Sequence, residues 1–482
     1  MKRCISIILG CAALLAGIDA GAEVTLPSVI SDNMVLQQNT EVALWGKATP
    51  GRTVTVKAGW TDSKVRTSAD PQTGRWSVRI ATPSAGGPYD ISFSDGKTVT
   101  LKNVLIGEVW FCSGQSNMEM PVKGYGSQPA KGGMDFIIGA NPSRQIRICN
   151  IKKKSSRKVE EESEGSWEEH SPATVANTSA TAYFFAEALQ SATGIPVGII
   201  VSSWGGSSIE TWMTREVISE EFPEFDLAFL DDESIQVHNY QAPSLLFNGQ
   251  VAPLVPFTFR GMIWYQGETN RFRTEQYIRL QTAYVKMMRE LFNVPDAPFY
   301  FVQIAPYRYA GGQEWDRAYF NEAQEKTLGT IPHSGMAVTC DIGEYGTIHP
   351  CEKREVGKRL AYLALKNDYG LDFIEADAPK YSGVEFRDGR AYVSFETALG
   401  LSPMGRDLSG FEVAGADKVF HPALARLSGK SNKVIEVFCN EVPEPVAVRY
   451  CFRNWCEGSV FNNYGIPVAP FRTDTWPREE TK

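Results

Sequence analysis

The stretch Gly107-Glu108-Val109-Trp110-Phe111-Cys112-Ser113-Gly114-Gln115-Ser116-Asn117-Met118 decides the fold. An unbroken apolar run, Val109 to Cys112, enters a short polar turn. A strand that is apolar on both faces belongs to a sheet with helices on both sides, which is the habit of parallel sheets. The turn presents one hydroxyl, Ser116, just past the carboxyl end of that strand. In open parallel sheets this is the edge where active sites form.

Working outward, further apolar runs recur at 197–204, Gly261–Tyr265, 299–304 and 336–340. Between them, Tyr277, Leu280, Tyr284, Met287, Met288 and Leu291 fall at spacings of three and four, which predicts a helix over 275–292 with one face inward. A second helix is predicted after Pro350, with Val356, Leu360 and Leu363 inward; proline is favoured at a first helical position. This alternation predicts an α/β domain with a parallel sheet over 105–371. Residues 23–104 carry short β-rich runs such as Val42-Ala43-Leu44-Trp45, separated by turn signals such as Thr49-Pro50-Gly51, and read as a small β-sandwich. Residues 372–482 return to β character, as in Val434-Ile435-Glu436-Val437-Phe438, and read as a second β-sandwich-like domain. The charged stretch 152–169 and the acidic, aromatic-dotted stretch 216–248 read as surface insertions. The second can equally cover a site or pack as an ordinary excursion.

Four polar clusters follow four of the predicted strands: Gly114-Gln115-Ser116-Asn117, Trp204-Gly205-Gly206-Ser207, Gln266-Gly267-Glu268-Thr269-Asn270, and the segment from Asp341 to His349. Ser116 is the candidate nucleophile, and a serine hydroxyl needs a base to take its proton. His349, in a Gly-Thr-Ile-His-Pro turn between a strand and a helix, is the candidate base. Asp341, at the end of its strand, is the first choice to hold the imidazole in one tautomer; Glu344 or a backbone carbonyl are the alternatives. Candidate oxyanion donors are the backbone N–H of Ser116, the N–H of Gly205 or Gly206, and the side-chain amide of Gln266 or Asn270. Glu268 can alternatively serve as a general acid, although no second carboxylate at a suitable separation accompanies it.

The chain has 482 residues, 43% apolar and 22% charged, with a formal net charge of −8. That is a globular composition with no basic patch, so nucleic acid is not an expected partner. The five histidines are not spaced as metal-ligand pairs, and neither metal nor cofactor is expected. Lys2 and Arg3, an apolar run over 5–16 and Ala20-Gly21-Ala22 read as a cleaved signal peptide over 1–22, hence a secreted or periplasmic protein. The Leu9-Gly10-Cys11 lipoprotein-like box is the less favoured reading of this leader. The run is too short to span a bilayer. Of nine cysteines, Cys4 and Cys11 fall in the leader, and seven, an odd number, remain. Cys340 and Cys351 flank the histidine segment, so a disulfide there would pin it; two buried thiols are the plain alternative.

As a set, Gly-Gln-Ser-Asn-Met, Trp-Gly-Gly-Ser, Trp-Tyr-Gln-Gly-Glu-Thr-Asn, Ile-His-Pro before a helix, and the ending Pro467-Val468-Ala469-Pro470-Phe471-Arg472-Thr473-Asp474 resemble the sialate O-acetylesterase family of the SGNH hydrolase superfamily. The resemblance implies a flavodoxin-like α/β core, Ser-His chemistry through Ser116 and His349, and removal of acetyl groups from the hydroxyls of a sugar or glycan. Two positions depart from the superfamily pattern. Gly346 and Thr347 stand where relatives place an aspartate before the histidine, and Gly267-Glu268-Thr269-Asn270 replaces a Gly-x-Asn-Asp block. Acetylated xylan or another plant polysaccharide is the alternative substrate. A carbohydrate-binding protein with an inactive hydrolase core is the alternative of another class. The oligomeric state is left open.

Overall fold

The computed structural model describes residues 24–478. The predicted leader, with its cleavage point before Glu23, lies outside the described residues.

The central sheet is built from β1 (Thr98–Gly114), β2 (Ile146–Asn150), β3 (Trp167–Glu169), β4 (Val197–Ser203), β5 (Gly261–Tyr265), β6 (Phe299–Val302) and β7 (Ser334–Ala337), in the order β7-β6-β5-β1-β4-β2-β3. Every neighbouring pair is parallel except β2 and β3. From β1 the chain passes to β2 and β3 on one side and returns to lay β4 between β2 and β1, then crosses to the other side for β5, β6 and β7. The strand order therefore reverses at β1, and a ligand crevice belongs at its carboxyl end.

The apolar reading of β1 corresponds to burial on both faces. Trp110 and Cys112 enter one core with Tyr183, Phe184 and Phe185 of α2 (Ala180–Thr193) and Val356, Leu360 and Leu363 of α5 (Lys353–Asp368). Val109 and Phe111 enter the opposite core with Tyr277, Leu280, Tyr284 and Met288 of α3 (Thr274–Leu291) and Phe320 of α4 (Asp316–Lys326). The predicted stripes of α3 and α5 thus face inward. The first helix, Ser116–Glu119, is the single turn α1 after β1. Sequence reading missed β2, β3 and α2. Helix α2 is buried nearly all round, so it lacks the one-sided stripe that marks an amphipathic helix.

The 17-residue β1 serves two modules. Its first half pairs with the strands Val35–Gln37 and Gly86–Ser94, and from Glu108 onward it pairs with β4 and then β5. A two-stranded sheet of Glu41–Lys47 and Arg75–Ala81 packs across this N-terminal sheet, with Trp76, Val78 and Ile80 inward. The C-terminal region holds two four-stranded antiparallel sheets around Val393, Ile435, Val437, Val413, Val448 and Tyr450. Arg317 of α4 joins it to the central domain. Its buried guanidinium donates to the carbonyls of Cys451 and Arg453. Such a buried cation is tolerated only with its donors matched.

Of the two readings left open for Cys340 and Cys351, the structure shows free thiols and no disulfide. Cys340 turns toward the C-terminal region, with its Sγ 3.1 Å from the Val468 carbonyl, while Cys351 stays in the histidine loop. Among the described residues, no helix is long and apolar enough to cross a membrane.

Candidate active site

Direct hydrogen bonds join all four polar clusters at one sheet edge. Trp204 N–H donates to the Gly114 carbonyl (3.1 Å), and Gln115 N–H to that of Tyr265 (2.9 Å). Gly267 N–H donates to Gln115 Oε1 (3.2 Å), and Asn117 Nδ2 to the Ile348 carbonyl (3.0 Å). The turn depends on Gly114, whose φ is +145° and where a Cβ would stand 2.2 Å from the Tyr265 oxygen. Gly205 likewise approaches so closely that its Cβ would lie 3.3 Å from that of Ser116.

Two ties connect the segments that carry Ser116 and His349. One is the Asn117–Ile348 bond between their immediate neighbours. The other is Tyr125, whose hydroxyl donates to the Ser116 carbonyl (3.3 Å) and whose ring packs edge-on against the imidazole at 5.4 Å. His349 Nδ1 lies 2.9 Å from Gln128 Oε1. With that amide oxygen accepting, the proton sits on Nδ1 and Nε2 keeps its lone pair. Burial pushes the imidazole down from its ordinary value to about 4; the Lys353 ammonium adds to this and the Glu119 carboxylate opposes it.

The expectation for Asp341 is corrected. Its carboxylate is spent on Arg359 of α5, with both oxygens 2.7 Å from the two guanidinium nitrogens. Glu344 is also elsewhere, accepting from the Cys351 N–H. The group at the imidazole is an amide, Gln128, 221 residues away in sequence and carrying no signature that sequence reading can use.

The two side-chain candidates for the oxyanion are corrected as well. Gln266 donates to the Ser207 carbonyl and to Asn270 Oδ1, and Asn270 Nδ2 donates to Glu210. Both are fully buried, and their amides brace the loop after β4 from behind. Glu268 points inward too, onto Asn117 Nδ2 at 2.6 Å, which argues against a general-acid role; burial raises its carboxyl. The Gly205 N–H donates to the Glu119 carboxylate. Gly206 N–H has no partner among the described residues, while its carbonyl accepts from Thr269 Oγ1 and Gln241 Nε2.

Both insertions reach the rim. Lys153, from 152–169, pairs with Glu119 at 2.8 Å. Tyr240, from 216–248, stacks on Trp204 with ring centroids 6.1 Å apart. Among the described residues no group of three or more His, Cys, Asp or Glu is placed to hold a metal ion.

Comparison with known proteins places the chain in a family. A family model described as carbohydrate esterase, sialic acid-specific acetylesterase, matches residues 106–366, from within β1 to near the end of α5. The mouse sialate O-acetylesterase is 26% identical, over 94% of both chains. The human one is 26% identical over 95% of this chain and 94% of its own. A solved carbohydrate acetylesterase from Xanthomonas citri superposes with a TM-score of 0.83 at 34% identity, covering 94% of this chain and 100% of that one. The match includes the flanking β regions, which confirms the mixed α/β architecture with its parallel sheet. The chain belongs to the sialic acid-specific acetylesterase family of carbohydrate esterases and is a carboxylic ester hydrolase.

Proposed function

We propose that this protein removes acetyl groups from sugar hydroxyls, with O-acetylated sialic acid as the first candidate substrate, by Ser-His acyl transfer. The observation that carries the mechanism is the pair of ties that bring the Ser116 turn and the His349 loop together. His349 Nε2 takes the Ser116 proton as Oγ attacks the acetyl carbonyl. The tetrahedral oxyanion faces the N–H groups of Ser116 and Gly206, fixed dipoles that need no reorganisation when charge develops. The imidazolium then protonates the departing sugar oxygen, leaving an acetyl ester on Ser116. Water, deprotonated by the same imidazole, releases acetate and restores the serine. Gln128 holds the tautomer that makes this possible, and the nearby Glu119 carboxylate favours the transient imidazolium.

Sialate as substrate rests on the mammalian relatives, which are sialate O-acetylesterases. Export rests on the leader over 1–22. The deciding experiment measures acetate released from O-acetylated sialic acids and from acetylated xylo-oligosaccharides, by the parent and by Ser116→Ala. We expect sialates to be preferred and the substitution to cost about 10⁴-fold or more in kcat. A folded Ser116→Ala protein that releases acetate at the parental rate would end the mechanism; a preference for the xylo-oligosaccharides would change the substrate alone.

A further inference from the structure

Behind the reacting pair lies a buried polar cluster that the steps above do not use. Lys353, the first residue of α5, is fully buried. Its Nζ donates to Asn117 Oδ1 (2.7 Å) and to the Pro350 carbonyl (2.8 Å). Asn117 in turn donates to Glu268 Oε1 (2.6 Å) and to the Ile348 carbonyl (3.0 Å). Ile348 and Pro350 are the residues on either side of His349. One side-chain amide and one ammonium therefore grip the histidine from both flanks and fasten it to the residue after Ser116. A buried ammonium is costly unless paired and hydrogen-bonded. An apolar side chain would fill this space more cheaply, so the charge itself calls for an explanation.

We propose that Lys353 is a positioning residue for the acyl transfer: it braces both sides of His349 against the turn carrying Ser116 and presents its ammonium to the imidazole. This rests on the Ser-His reading above. The groups facing Lys353 are Glu268 from the turn after β5, Tyr265 from β5, and Glu344 and Cys351 from the histidine loop. Those facing His349 are Lys353 from α5, and Glu119 and Tyr125 from the segment after β1. Burial brings the Lys353 amine down to about 7. Over the acidic range in which His349 titrates, the lysine is therefore charged. Its field then works against a proton on the imidazole, so the base stays free.

Three substitutions separate the brace from the charge. Lys353→Gln keeps hydrogen-bond donors and loses the charge. Lys353→Met loses both. Asn117→Ala keeps the charge and cuts the link. The first readout is the titration of the His349 ring in ¹³C-histidine-labelled protein, assigned by its loss in His349→Asn. The second is kcat and KM on 4-nitrophenyl acetate. Both lysine variants should titrate His349 at higher pH than the parent. Lys353→Met and Asn117→Ala should each lose about 10- to 100-fold in kcat, the cost of a misplaced reacting group, with KM within about threefold. Asn117→Ala should leave the titration where it is. If Lys353→Met fails to fold, Lys353→Gln and Asn117→Ala still decide. An unmoved titration in Lys353→Gln together with parental kcat in Asn117→Ala overturns the inference. Undiminished turnover in His349→Asn would instead overturn the Ser-His reading.

Discussion

Replacing Asp341 by alanine tests which group stands behind the imidazole. By position in the sequence Asp341 is the obvious acid, and in the structure it is a salt-bridge partner. Its carboxylate makes two parallel bonds to Arg359, with side chains 7% and 6% exposed respectively. Removing it leaves a buried guanidinium with one remaining acceptor, the Val338 carbonyl. Breaking a buried pair from one side costs about 3–5 kcal/mol. At about 2–4 °C per kcal/mol for a unit of this size, the melting temperature should fall by roughly 6–20 °C. Turnover by the folded protein below its melting range should stay within about threefold of the parent, because the carboxylate does not contact His349. Gln128→Ala should do the opposite. It removes one hydrogen bond to the imidazole, worth about 1 kcal/mol, hence about fivefold in kcat/KM, and leaves the melting temperature nearly unchanged. Differential scanning fluorimetry and 4-nitrophenyl acetate turnover on the same preparations give both numbers. A well-folded Asp341→Ala protein slowed by about 10⁴-fold, the loss typical of removing a triad carboxylate, would refute this account and restore the acid assignment.

Three further outcomes follow from the same geometry. The acid limb of kcat/KM, which reports the free enzyme, should lie near 4 and not at the ordinary histidine value of 6.5. The sign for stability agrees: the folded state holds the His349 proton less tightly than the unfolded chain, so its contribution is present above about 6.5 and is lost as pH falls through about 4. A pH–rate profile and a urea titration at several pH values check both. Tyr240→Ala should raise KM for acetylated sugars by about tenfold, because the ring that covers Trp204 and lies over Gly206 is gone. Its kcat/KM on 4-nitrophenyl acetate should stay within about threefold, and equal losses on both substrates would show that the ring supports the fold and not the sugar.

The parts of the site that were legible in the sequence were those fixed locally. An apolar strand, a glycine that turns at positive φ and the residues just beyond it are neighbours in the chain, so the place of Ser116 at the carboxyl end of β1 could be read from 107–118. The helix expected after Pro350 has the same local character, although α5 begins at Lys353 and not at the proline. What failed was partner choice across long separations. Asp341, eight residues before His349, is claimed by Arg359, ten residues after it, because the end of β7 and the middle of α5 pack together. Gln128 has no pattern to announce it. Gln266 and Asn270 carry the right chemistry for an oxyanion, but their amides turn inward to satisfy each other and Glu210. The missed helix α2 failed for a related reason: burial on every side erases the periodicity that burial on one side creates.

An amide behind the imidazole has a consequence for which step the site favours. A carboxylate at Nδ1 would stabilise the imidazolium and raise its pKa. Gln128 does so far less, and burial together with Lys353 pushes the other way. His349 is then a weaker base toward Ser116 than a carboxylate-backed histidine, and its conjugate acid is correspondingly stronger. For an ester of a sugar alcohol, the leaving oxygen is a poor alkoxide that must receive a proton as the tetrahedral intermediate collapses, so acid strength is useful there. For an aryl acetate the phenolate departs unaided, and that strength has nothing to do. Gln128→Glu, which installs the carboxylate, should therefore slow sugar-acetate hydrolysis more than 4-nitrophenyl acetate hydrolysis, by about tenfold in the ratio of their kcat/KM values for each unit gained in imidazole pKa at full proton transfer. A ratio that does not move while the His349 titration rises would mean that proton delivery to the leaving group is not what the amide serves.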